Sequence, residues 1–178
     1  KVNDGTVDSE VVTIDVNIKS VNDTPIANRD DYSVNEDSHL DGTSILANDV
    51  DADGDELHVT LVSGPAHGKF TLNADGTFTY QPEANFNGND SFMYKLNDGK
   101  IDSTTQTVNI EVKGVNDTPV AKADSLEVTE DETATGQLVA NDIDGDTLTY
   151  SLIEDGKKGN VTFTDAKTGT FTYTPKAN

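Results

Sequence analysis

Apolar residues in this chain recur at every second position. In "TVNIEVK", Val108, Ile110 and Val112 share one face, with Asn109 and Glu111 on the other. "DSFMYKL" repeats the pattern with Phe92, Tyr94 and Leu96, and "GTFTYQP" repeats it with Phe78 and Tyr80. "ELHVTLV" alternates less cleanly through Leu57, Val59 and Leu61. Side chains leave a pleated strand on alternate sides, so a period of two marks strands with one buried face. Gly, Asn and Asp interrupt these runs every eight to twelve residues or so. No long helical stripe competes, so the chain reads as all-β.

The pattern also repeats on a longer scale. "VNDTP" occurs at Val21–Pro25 and returns at Val115–Pro119, and "KVNDG" at Lys1–Gly5 returns as "KLNDG" at Lys95–Gly99, both at a spacing of 94 residues. "NED" with Glu36 answers "TED" with Glu130, and "GTFTYQP" answers "GTFTYTP" at Gly169–Pro175. A period of that size is a domain and not a solenoid repeat. Residues 1–20 are expected to be the last strands of one unit, 21–114 a complete unit, and 115–178 a unit without its last strands. The chain opens in mid-pattern and reads as a piece of something longer. About seven strands in some 90 residues predicts tandem Greek-key β-sandwiches of immunoglobulin-like type. The Cys…Trp…Cys hallmark of antibody domains is missing, since the chain has no Cys and no Trp.

Charge narrows the partners. A formal net charge of −21 disfavours nucleic acid and anionic membrane surfaces alike. No run of 18 apolar residues predicts a membrane-spanning helix. Without Cys there are no disulfides and no thiolate metal sites. The acids are then either solvated surface or carboxylates arranged for cations.

One stretch, "NDVDADGDEL" at Asn48–Leu57, favours cations. Counted from Asp49 it opens like an EF-hand loop, but Thr60 stands where that loop needs a bidentate Glu, and the flanks read as strands. The EF-hand reading fails. Common to both copies is D-x-D-G-D-x-L: Asp51, Asp53 and Asp55, then Asp142, Asp144 and Asp146. Alternating aspartates in a turn crowd several carboxylates together, and calcium accepts six to eight such oxygens in a forgiving geometry. The plainer alternative is that D-G-D simply turns well. Its recurrence beside "VNDTP" and Glu36/Glu130 favours Ca2+.

Together these motifs resemble the bacterial cadherin-like tandem repeats of about 95 residues, akin to VCBS repeats, of large secreted RTX-type adhesins. The resemblance implies a cadherin-like sandwich with calcium at the junctions between repeats. It places the linker Asn-Asp pair on Asn22-Asp23 and Asn116-Asp117, and the acid closing the first strand on Glu36 and Glu130. It places the loop aspartates on Asp51, Asp53, Asp55 and on Asp142, Asp144, Asp146. Asp90 aligns loosely with the acidic position before the sixth strand, and Asp98 lies in the turn before the last. Cadherin topology would bring Glu36, Asp90, Asn116 and Asp117 to Asp142, Asp144 and Asp146. It would gather Asn22, Asp23, Asp51, Asp53, Asp55 and Asp98 into half of the preceding junction. Glu130 and Asp49 are secondary candidates. The implied function is a calcium-stiffened extender at the bacterial cell surface, partnered by neighbouring repeats of its own chain.

Two other functions compete with the extender. Against an enzyme, His39, His58 and His67 form no His-x-His or His-x-x-x-His pair, and Ser63 beside His67 lacks a nucleophile elbow. Against direct adhesion to a receptor, a glycan or another copy, the units differ by no large insertion. Phe70, Phe78, Tyr80, Phe92 and Tyr94 fit inward strand positions, whereas Tyr32 and Phe86 remain open as a ligand platform. Residues 1–20 align with 95–114, so head-to-tail strand exchange between copies is a further expectation.

Overall fold

The computed structural model describes residues 1–177; Asn178, where the third segment ends, lies outside them. It contains twelve strands: β1 (Asp30–Asn35), β2 (Leu40–Gly42), β3 (His58–Ser63), β4 (Gly68–Leu72), β5 (Phe78–Pro82), β6 (Gly88–Asn97), β7 (Gln106–Lys113), β8 (Val120–Lys122), β9 (Ala134–Gln137), β10 (Val139–Asn141), β11 (Gly159–Asp165) and β12 (Thr170–Pro175). The longest helical element is one 3-10 turn at Ile45–Asn48. By contacts the chain groups into two compact units. The first holds residues 1–32, 40–80 and 90–110, and the second holds 33–39, 81–89 and 111–178.

Strands β1 to β7 build two sheets, ordered β1-β7-β6-β3 and β2-β5-β4. Burial follows the period of two. In β6 the buried positions are Asp90, Phe92, Tyr94 and Leu96, and in β7 they are Val108, Ile110 and Val112. Phe78 and Tyr80 face inward from β5. The ring of Phe92 packs 5.2 Å from Phe78 and 4.5 Å from Phe70, tying the sheets together. A Cβ on Gly42 would lie about 2.1 Å from the Phe78 ring, so the chain needs glycine where β2 crosses it. Tyr32 joins this core, its ring 4.8 Å from Phe78 and its hydroxyl donating to the Thr43 carbonyl, which ends its candidacy as a ligand platform. The uneven alternation of "ELHVTLV" has its counterpart in β3, an edge strand with only Val59 half-buried.

In the second unit, β11-β12-β9 form the counterpart of β4-β5-β2, and β8 pairs with β10. Segments 124–129 and 149–154, equivalent to β1 and β3, form no strand. Leu126, Val128, Phe171 and Tyr173 line an open cleft there. Residues 1–20 carry one bridge, Asn3 to Asp8, and otherwise lie exposed.

Candidate metal centres

The two D-x-D-G-D loops have the same backbone. In the first, Asp51 Oδ1 accepts the N–H groups of Asp53 and Asp55, at 3.0 and 3.1 Å. In the second, Asp142 Oδ1 accepts those of Asp144 and Asp146, at 3.1 and 3.2 Å. Gly54 and Gly145 turn with φ of 77° and 78°, a region that disfavours a Cβ. The linker closes on each loop in the same way. Asp23 N–H donates to Asp53 Oδ2, and Asp117 N–H donates to Asp144 Oδ2. Asn22 and Asn116 each donate a side-chain amide to the carbonyl of the following Asp. A shared motif thus produces the same hydrogen-bond pattern in both loops.

Within the second unit, one carboxylate oxygen each from Glu36, Asp117 and Asp144 lie within 4.8 Å of one another. Glu36, the residue that follows β1, is 2% exposed. Its Oε1 accepts the Val115 N–H at 2.6 Å, which ties the linker to the strand end. Asn87 approaches its Oε2 at 3.5 Å, a weak contact. Asp117 Oδ2 is buried with no partner. Desolvation, then the charges of Asp144, Asp37, Glu36 and Asp142, pushes the Asp117 carboxyl above its ordinary range. Three ionised carboxylates this close repel one another. Among the described residues no Lys or Arg is paired with any of the three.

Within the first unit, oxygens of Asp51, Asp53 and Asp55 form a second cluster within 4.8 Å, and Asp51 Oδ2 is buried without a partner. Asn22 donates to Asp98 Oδ2 at 2.8 Å, while Asp98 Oδ1 holds the backbone of Lys100 and Ile101. The Asn22 bond, first among several, holds the Asp98 carboxyl down to about 2. A cation of the protein's own sits here. Lys100 Nζ donates to Asn22 Oδ1 and to Asp55 Oδ2, both at 2.7 Å.

Not every candidate joins a cluster. Asp90 shares the inward parity of Phe92 and Tyr94, and its carboxylate accepts the Ala66, His67 and Ser91 N–H groups and the Tyr80 hydroxyl. Those bonds, opposed by burial, hold its carboxyl below the ordinary range. It anchors the turn between β3 and β4, and His67 contributes backbone there. Asp49 accepts from Asn28 N–H and the Tyr94 hydroxyl and faces Asp30. Asp30, half-buried with one orphaned oxygen, is pushed up to about 6 by burial and then by Asp49. Glu130 lines a cleft with Lys157, Lys158 and Lys176. Asp37 and Asn87 beside Glu36, Lys100 in the other cluster, and Asp30 were missed in the sequence. For Asp30 a signal existed, because Asp30, Tyr32, Val34 and Glu36 share one parity.

Both clusters offer hard oxygen donors, no His or Cys, and a buried orphan oxygen, a donor set that suits Ca2+. A β-sandwich carrying acids at its strand end, linker and loop defines the class: a repeat module of the cadherin and immunoglobulin-like type. Residues 22–114 match the family model "Bacterial cadherin-like domain", and residues 116–178 match "Bacterial Ig domain". The chain belongs to the bacterial cadherin-like domain family. Human CDH23 EC21-23 is structurally similar, with a TM-score of 0.55 and 20% identity over 84% of this chain and 57% of that one. Human Protocadherin-24 EC1-2 also gives 0.55, with 15% identity over 89% and 80%. Integrin beta-like protein C of Dictyostelium discoideum is 28% identical over 96% of this chain, which spans only 10% of that protein's length. Among the described residues no helix is long and apolar enough to cross a membrane.

Proposed function

We propose that this chain is a calcium-stiffened extender, a run of modules in a large bacterial surface or secreted adhesin. Modules 21–114 and 115–178 would be joined by cations at their linkers. The observation that carries the reading is the convergence of Glu36, Asp117 and Asp144, from a strand end, a linker and a loop of the next repeat, with a buried Asp117 oxygen left unpaired. Calcium held there by these carboxylates, with Asn116 and Asp142 alongside, would neutralise the repulsion and fix the linker. The residues prepare the site: the Val115 N–H positions Glu36, the Asp117 N–H positions Asp144, and Asp142 holds the loop. Asp51, Asp53 and Asp55, with Asn22, would do the same toward a preceding repeat. Small-angle scattering of the 178-residue chain tests the mechanical claim. Maximum dimension is expected to fall on chelation and recover with calcium, and a profile indifferent to calcium would favour a direct adhesion module.

A specific exposure also supports strand exchange between copies. Ile14, Val16 and Ile18 are 80–87% exposed, whereas their equivalents Val108, Ile110 and Val112 are 0–2% exposed. The residues lining the cleft, Leu126, Val128, Phe171 and Tyr173, correspond by the repeat to Tyr32, Val34, Phe78 and Tyr80 of the complete unit. Residues 12–19 of one copy would dock there on another. Light scattering should show concentration-dependent association that the double substitution I14D/I18D abolishes; a strict monomer at high concentration contradicts it.

A further inference from the structure

We infer that Lys100 is a tethered competitor of calcium, raising the calcium threshold of the Asp51–Asp53–Asp55 cluster above the one it would have without that ammonium. The inference rests on the calcium reading above and adds a residue that tunes it.

The geometry is specific. The Lys100 ammonium takes two oxygens at once, Asn22 Oδ1 and Asp55 Oδ2, each at 2.7 Å. Both belong to the donor set that a cation would use there. The lysine is placed by its turn, because Asp98 Oδ1 accepts the N–H of Lys100 itself at 2.7 Å, and Asp98 Oδ2 holds Asn22. Asp98 therefore positions the ammonium and one of its acceptors together. A divalent ion entering beside Asp51 and Asp53 must displace the ammonium from Asp55 or sit next to a like charge, and either lowers affinity. The lysine is not part of the shared motif: the equivalent turn, "KVNDGT", carries Thr6 at that place. Asp4 still makes the same turn, its Oδ1 accepting the N–H groups of Thr6 and Val7. Position 100 is thus free to vary without loss of the turn, and through it junctions of one array would respond to different calcium levels.

The pair is exposed, so its effect is modest. Removing so exposed a competitor is expected to shift the dissociation constant by up to about fivefold. Gly54 and Gly145 supply separate reporters, one in each loop. Calcium titration of the full 178-residue chain at low ionic strength, followed by the amide resonances of both glycines, tests the proposal. Lys100→Gln should move the Gly54 midpoint about fivefold lower and leave Gly145 in place, while Lys100→Arg should stay near wild type. A saturable Gly54 response with the same midpoint in wild type and Lys100→Gln would overturn the competition alone. No saturable response at either glycine in any variant would overturn the calcium reading and the competition together.

Discussion

The loops at 51–55 and 142–146 share one motif and one backbone, yet they meet different neighbours. Loop 51–55 faces a lysine that already satisfies Asp55. Loop 142–146 faces a buried glutamate and an aspartate with an unpaired oxygen. One acidic turn can therefore be half-neutralised or strongly frustrated, depending on what the topology brings to it. Motif alone does not set how its carboxylates are partnered; the groups that close around it do.

Five substitutions sharpen this contrast. The largest effect is expected from Asp144→Ala, which removes a carboxylate from the frustrated cluster. Calcium affinity at Gly145 should fall by about tenfold or more, because ligand charge count strongly tunes such sites. Gly54 should respond as before, and equal losses at both loops would show that the clusters are not independent.

Next come the two residues that hold the turns. Asp51 and Asp142 each accept two backbone N–H groups through one oxygen. Replacing either by Ala should cost about 1–3 kcal/mol of local stability in chelator, as read by amide exchange. The costs should be similar, since the turns are; a large disparity would mean that neighbours, and not the turn, support one loop.

The smallest effects should differ in sign. Asp98 is held down to about 2, so it adds stability that is complete above the ordinary carboxylate range and is lost as pH falls toward 2. Asp117 is pushed up, so the calcium-free fold is penalised at neutral pH and relieved as pH falls through its raised value. Melting curves in chelator should then show Asp98→Asn less stable than wild type at pH 7 and Asp117→Asn more stable. The Asp117→Asn gain should fade as pH drops to about 4. Two shifts of the same sign would break the contrast.

Much of this was legible in the sequence, for a physical reason. Alternation in β5, β6 and β7 exposed the core because a half-buried strand can hide only every second residue. The repeat and its D-x-D-G-D loops were equally plain, and Glu36, Asp117 and Asp144 do converge. Asp90 was expected in that cluster and is instead bonded to Tyr80 and the 66–67 backbone. Parity could have placed it, since Asp90 is in step with Phe92, Tyr94 and Leu96. Lys100 had no such signal. Its partners Asn22 and Asp55 lie 78 and 45 residues away, and only the folded sandwich brings them to it.

The most direct measurement of the central claim is the Val115 amide during a calcium titration, because its N–H is bonded to Glu36 at the end of the linker. A saturable shift of Val115, Asp117 and Asp144 together, abolished by Asp117→Ala with Asp144→Ala, is the predicted result. Resonances that stay in place up to millimolar calcium would contradict it.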